Sequence, residues 1–210
     1  MNSIHTKLLK ILEDLILCIE GEWFLSDGAL LGLIRDNKLI EYDDDIDIYL
    51  LPGSKINIEK LNKMQLHYQD YYLCGKVYDK KNTFIKKNKW LEYNNYIRTR
   101  PHTKNLNRAE LLELSSISYE EKSIENKFTH PCIDIFYLRE KDNELYLPYR
   151  MNKNYANEYL YFKKDIIKPI KKTNLLNVKN VCIPNDPVEV IKILYGDNWF
   201  IPKEFKCRVI

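Results

Sequence analysis

Tyr42-Asp43-Asp44-Asp45-Ile46-Asp47-Ile48-Tyr49-Leu50 packs its aspartates tightly and then alternates acid with apolar side chains until Pro52-Gly53 breaks the run. Such alternation is the mark of a half-buried strand, and it sets Asp45 and Asp47 on one face. Neighbouring carboxylates beside Ile46 and Ile48 repel one another, so the arrangement is costly unless something positive sits among them. A divalent cation meets that need. Magnesium takes a few carboxylate oxygens and fills its remaining octahedral positions with water and substrate phosphate oxygens. The plain alternative is an acidic surface turn leading into a strand. An EF-hand loop fits poorly, because Ile48 stands where the loop needs Gly and Ser54 where it needs Glu.

Upstream of this run, Trp23-Phe24-Leu25-Ser26 reads as a short aromatic strand meeting a tight turn at Asp27-Gly28. Ala29 to Ile34 then reads as a helix with Leu30, Leu31 and Ile34 on one side and Asp27 as its cap. Gly28 would let the backbone approach a phosphate, and free amides at the helix start favour an anion; an ordinary turn glycine is the alternative. Earlier still, Ile4, Leu8, Leu12, Leu15, Ile16 and Ile19 recur at spacings of three and four and predict an amphipathic helix over about residues 4–20.

Downstream, the pattern predicts a helix from about Ile56 to Met64 and strands around Tyr71 to Tyr78 and Leu91 to Arg100, with the lysine-rich stretch Lys80 to Lys89 as an exposed hairpin or loop. Arg98, Arg100 and His102 alternate on one face if residues 96–102 are extended, and are read as a solvated strand face, contact with a donor phosphate or an anionic acceptor being the alternative. Ser115 to Lys127 is polar and carries no clear period. Cys132 to Leu138 is a second apolar strand with a single acid, Asp134, and Pro131 suits its start. Asn185-Asp186-Pro187 opens a helix with a cap and a first-turn proline, and Gly196 ends it.

The 210-residue chain is 45% hydrophobic, enough to bury a core without disulfides or structural metals, and residues 1–210 are read as one domain. With 33 Lys+Arg against 30 Asp+Glu, the net charge of +3 is too small to mark a nucleic-acid footprint, and no nucleic-acid partner is expected. Cys18, Cys74, Cys132, Cys182 and Cys207 lie far apart without a ligand spacing, so they read as buried thiols of a reducing compartment. Lys7, Lys10, Glu13, Asp14 and Glu20 interrupt the first twenty residues; neither a secretory signal nor a membrane span is expected, and the chain is read as soluble and cytoplasmic.

The order strand, glycine turn, helix and D-x-D strand is similar to the nucleotidyltransferase superfamily shared with polymerase-beta-like enzymes. More closely, Phe24-Leu25-Ser26-Asp27-Gly28-Ala29-Leu30-Leu31-Gly32-Leu33-Ile34-Arg35, followed by Leu39-Ile40-Glu41-Tyr42-Asp43-Asp44-Asp45-Ile46-Asp47-Ile48, resembles the LicD/fukutin family. That family's pattern is close to sGTLLGavR, a short spacer, then IPWDDDIDI. Its later IDIF-type strand is matched by Ile133-Asp134-Ile135-Phe136, and its YGdnW element by Tyr195-Gly196-Asp197-Asn198-Trp199. Ala29 stands where the family has Thr, so a hydroxyl contact to donor phosphate does not carry over. Glu41-Tyr42 replaces Pro-Trp, which alters the wall of the donor pocket. Neither departure removes a carboxylate.

The resemblance implies an α/β (α+β) nucleotidyltransferase-like fold, a small mixed β-sheet flanked by helices, with the first and the carboxy-terminal helix packing the sheet that presents the acids. It implies a metal-dependent transferase moving a phospho-alcohol, of the phosphocholine or phosphoribitol type, from a CDP-activated donor to a glycan hydroxyl. Asp45 and Asp47 would hold Mg²⁺, or Mn²⁺ in its place, against the donor's diphosphate. Asp134 would complete the metal site or accept the acceptor's proton, a buried acid paired with Arg or Lys being the plain alternative. Asp43 and Asp44 would support the ligands or a second ion, with Asp44 read as exposed to solvent rather than as a ligand. Arg35 falls on the family's arginine, suited to phosphate or to orienting the acids, with a simple salt bridge as its rival. Two other functions share these residues: transfer of a nucleotide from a nucleoside triphosphate to a sugar, small molecule or nucleic acid, and a non-catalytic binding module that keeps the fold.

Overall fold

The structure, a computed structural model, describes residues 3–72, 112–118, 131–151 and 159–202. The expected strand at Leu91 to Arg100, the lysine-rich Lys80 to Lys89 stretch, and Arg98, Arg100 and His102 lie outside the described residues.

The acidic run is a strand, as its alternation requires. β2 (Trp23–Ser26) and β3 (Asp45–Leu50) belong to a five-stranded sheet that also holds β5 (His67–Tyr72), β6 (Leu112–Ser118) and β7 (Cys132–Tyr137), in the order β2-β3-β7-β6-β5. β3 and β7 run parallel, while the other neighbours are antiparallel. The mixed sheet expected from the sequence is therefore present, and the fold is α+β. Ile46, Ile48, Ile133 and Ile135 are fully buried at the centre of its parallel pair.

Helix α1 (Ser3–Leu15) buries Leu8, Leu9, Ile11, Leu12 and Leu15 and packs on β7. It is shorter than the expected helix to residue 20. Ile19 and Glu20 form β1 and pair with β4 (Lys55–Ile56), and the Asn57 amide donates to the Cys18 carbonyl at 2.8 Å. Backbone pairing with a distant segment thus overrides an apolar period that would otherwise have continued the helix. Gly21, at φ +107, carries the chain from β1 toward β2 in a conformation that favours glycine. The same pairing takes Ile56 out of the next helix, α3 (Ile58–Lys63), which starts under an Asn57 cap accepting from the Lys60 amide at 3.0 Å.

Helix α2 (Asp27–Asp36) follows β2 without a spacer and is longer at both ends than the expected Ala29 to Ile34 segment. Asn37, in the left-handed region, closes it, and its amide bonds the Leu33 carbonyl. Ser115 to Ser118, unassigned by pattern, lie in β6, whose other pairing edge is β5. β5 itself begins at His67, ahead of the expected Tyr71. Past β7 the chain forms a three-stranded antiparallel sheet from β8 (Arg139–Lys141), β9 (Glu144–Met151) and β10 (Tyr159–Lys163), then the short helix α4 (Lys164–Ile167) and the hairpin β11 (Lys171–Leu175) and β12 (Val178–Ile183).

Helix α5 (Pro187–Tyr195) has the predicted start and stop: the Asp186 side chain accepts from the Glu189 amide at 3.0 Å, Pro187 sits in the first turn, and Gly196 ends it at φ +87. It packs on α2 and α4, bringing the chain after Gly196 to the end of the sheet where the acids lie. Among the described residues no helix is long and apolar enough to cross a membrane.

Candidate active site

Register places the acids. Asp47 is opposite Asp134 in the parallel pair of β3 and β7, and Asp45 is opposite Cys132. Residues two apart on a strand share a face, and so do in-register neighbours, so these four side chains make a square on one face of the sheet. Ser26 of β2 lies opposite Asp47 on its other side, and Ser116 of β6 lies opposite Asp134. One carboxylate oxygen each from Asp45, Asp47 and Asp134 fall within 4.8 Å of one another, and all three side chains are half-buried. Three hard oxygen donors so close, reachable from outside, are a donor set for Mg²⁺ or Mn²⁺. The Cys132 thiol donates weakly to Asp134 Oδ1 at 3.8 Å.

Electrostatics agree with the geometry. Burial raises the Asp47 pKa well above the usual carboxylate range, and the charges of Asp27, Asp45, Asp134 and Asp43 push it further. Burial likewise lifts Asp43 to about 7, with Asp45, Asp44 and Asp27 adding to the effect. A divalent cation among these groups would offset both, and the residues present fit one.

Asp43 and Asp44 stand outside the three-carboxylate cluster. Asp44 is half-buried rather than open to solvent. Asp43 is fixed from two directions. His5 of α1, itself buried, lies with Nε2 3.1 Å from the Asp43 carbonyl, and the Asp43 carboxylate rests against the start of α2. A Cβ on Gly28 would lie 2.2 Å from Asp43 Oδ2, so glycine there is a matter of space. Gly32 has a similar reason: a Cβ would come within 2.5 Å of the Lys38 carbonyl, where the chain passes back over the helix.

Asp27 differs from its expected role. It is not the cap, since Ser26 holds that position without a side-chain bond, and Asp27 is instead the first helical residue. Its φ of +46 is left-handed, and its side chain is buried. Oδ2 accepts from the Tyr49 hydroxyl at 2.7 Å and from the Ser26 hydroxyl at 3.2 Å. Arg35 is held by its neighbour: Nη2 and Nε donate to Asp36 Oδ2 at 2.7 and 3.0 Å. Each partner favours the other's charged form, raising the Arg35 pKa and lowering that of Asp36.

A cleft of about 580 Å³ gathers the separate motifs. Asp27, Gly28, Asp43 and Asp47 line it with Arg35 and Lys38, while Tyr195, Trp199, Ile201 and Pro202 come from the carboxy-terminal element. Tyr42, 68% exposed, stands on its wall. The sequence reading gives Asp27, Lys38, Ile201 and Pro202 no site role.

Residues 21–108 match the family model described as LicD/FKTN/FKRP, nucleotidyltransferase domain. The match takes in β2, Gly28, Arg35 and the whole acidic run, while Asp134 and Tyr195 to Trp199 fall beyond it. No curated protein matches the chain.

Proposed function

We propose that this chain, whose residues 21–108 match a LicD-type nucleotidyltransferase domain, is a divalent-metal-dependent transferase moving a phospho-alcohol from a CDP-activated donor to a glycan hydroxyl. The observation that carries this reading is convergence. Three carboxylates lie within 4.8 Å of one another, and one of them, Asp47, lines a cleft whose walls come from the two motif regions furthest apart in the sequence, the start of α2 and the Tyr195 to Trp199 element.

In this reading Asp45, Asp47 and Asp134 hold the cation. When bound, it neutralises charge on the donor's diphosphate and on the leaving CMP. The oxygen of the acceptor hydroxyl forms a bond to the phosphorus that carries the alcohol, the bond from that phosphorus to the bridging oxygen breaks, leaving CMP, and the hydroxyl proton passes to the CMP phosphate or to solvent. Gly28 lets the donor's phosphates approach the first amides of α2 closely. Lys38 adds positive charge to the cleft rim, and Arg35, at the other end of the helix, stands there paired with Asp36. Tyr195 and Trp199 offer flat apolar faces to a donor ring. Asp43 steadies the acidic loop through the contacts of its backbone and carboxylate to His5 and Gly28.

The test is a transfer assay with CDP-linked alcohols, with and without Mg²⁺ or Mn²⁺, following CMP release. Metal-dependent CMP release in the parent, lost in Asp45→Ala, supports the reading. Equal release in both proteins rules out the proposed site, and pyrophosphate release from nucleoside triphosphates in place of CMP release identifies nucleotide transfer instead.

A further inference from the structure

Asp27 has three properties that are rarely combined in a structural residue. It is a carboxylate with only 7% of its surface exposed, its backbone is left-handed at φ +46, and it lines the same cleft as Asp47. A left-handed non-glycine residue costs about 1–2 kcal/mol, which persists only where the surroundings hold it. The surroundings here are specific. Tyr49 lies two residues beyond Asp47 on β3 and shares its face; the ring is fully buried, edge-on to Phe24 and Phe136 with centroids 5.5 and 5.6 Å away. From that apolar setting its hydroxyl donates to Asp27 Oδ2 at 2.7 Å, and Ser26, opposite Asp47 in the β2–β3 pairing, donates to the same oxygen.

We infer that Asp27 is a positioning residue for the cation site: a fourth carboxylate, fixed by Tyr49 and Ser26, whose charge strengthens the hold of Asp45, Asp47 and Asp134 on a divalent ion without belonging to their cluster. The inference rests on the metal reading above. Its physics is simple. A buried negative charge attracts a divalent ion about twice as strongly as a monovalent one at the same place, so it adds to the pull of the three carboxylates on the cation. The two hydroxyls fix where that charge sits, and the left-handed backbone turns the side chain in from the end of β2.

The test measures Mn²⁺ binding by electron paramagnetic resonance of the free ion, which needs no substrate, together with thermal unfolding of the metal-free proteins. Asp27→Asn keeps the shape and an acceptor for Tyr49 but removes the charge, and the expected result is a dissociation constant raised roughly tenfold, as loss of one nearby buried charge implies. Asp27→Gly also removes the charge and should bind Mn²⁺ as weakly as Asp27→Asn, while its unfolding temperature falls because the buried Tyr49 and Ser26 hydroxyls lose their acceptor. Tyr49→Phe, which keeps the charge but frees it to move, should fall between parent and Asp27→Asn. A parent that binds Mn²⁺ and an Asp27→Asn protein that binds it equally well would overturn this inference and leave the metal reading standing. A parent that binds no Mn²⁺ would overturn both.

Discussion

Asp47 and Asp134 face each other across the parallel pair of β3 and β7, in one register with Ser26 on β2 and Ser116 on β6. The pairing brings acids nearly ninety positions apart in the sequence onto one sheet face, and it makes their loss unequal to the loss of an acid in a surface turn. Asp47→Asn and Asp134→Asn are expected to lower metal-dependent turnover by at least about a hundredfold, the scale of losing a group that holds charge at the reacting centre. Metal-free stability should hold or rise in Asp47→Asn, because removing one buried negative charge relieves repulsion. Steady-state kinetics and thermal unfolding on the same preparations check both halves.

Gly28 and Gly32 predict opposite outcomes for the same substitution. In Gly28→Ala the new methyl meets the end of a side chain, Asp43 Oδ2, which can swing away, so stability should change by less than about 1 kcal/mol. The displaced carboxylate and the blocked approach to α2 should nonetheless weaken donor binding. In Gly32→Ala the methyl meets backbone, the Lys38 carbonyl at 2.5 Å, and overpacking of this kind costs roughly 1–3 kcal/mol. Denaturant unfolding beside donor titration separates the two.

Metal and pH are linked through Asp43 and Asp47. Both carboxyls have folded pKa values above their ordinary value of 3.8, Asp43 at about 7. Between pH 4 and 7 the unfolded chain releases these protons while the folded chain retains them, so the metal-free fold loses stability as pH rises through that window. A bound cation favours the ionised carboxylates and cancels the loss. The stabilisation by Mn²⁺, read as a shift in unfolding temperature, should therefore be small at pH 5 and grow toward pH 8. A shift that does not vary over this range would contradict the assignment.

Tyr195, the last residue of α5, and Trp199, just beyond it, line the cleft. Trp199→Ala should raise the KM for the donor roughly tenfold or more with a smaller effect on kcat, since a stacking face binds ground state and transition state alike. An unchanged KM would move the donor ring elsewhere.

Much of the candidate site was legible before the structure. Alternation at Asp45 to Leu50 and an isolated acid in Cys132 to Leu138 are local signals, and both became strands with the acids on the expected face. The cap at Asp186 and the stop at Gly196 are equally local. What was not legible depends on distant partners. Ile19 and Glu20 leave the helical period because Lys55 and Ile56 pair with them, and Leu112 to Ser118 is a strand because β5 and β7 flank it, although its serines hide any period. The hairpin of β8 and β9 did carry a signal, in Asp142-Asn143, both left-handed at φ +50 and +66. Asp27 was read as a cap from its residue type; its burial and its bond to Tyr49 exist only once β3 lies beside β2.

Whether Asp45, Asp47 and Asp134 hold a catalytic cation is decided by turnover of CDP-linked alcohols by the parent protein and by Asp45→Ala, with and without Mg²⁺ or Mn²⁺, scored by CMP release and by mass spectrometry of the acceptor. The account predicts an acceptor heavier by one phospho-alcohol, CMP in equal amount, and loss of both on omitting the cation or replacing Asp45. Cation-independent turnover, or turnover undiminished in Asp45→Ala, would contradict it.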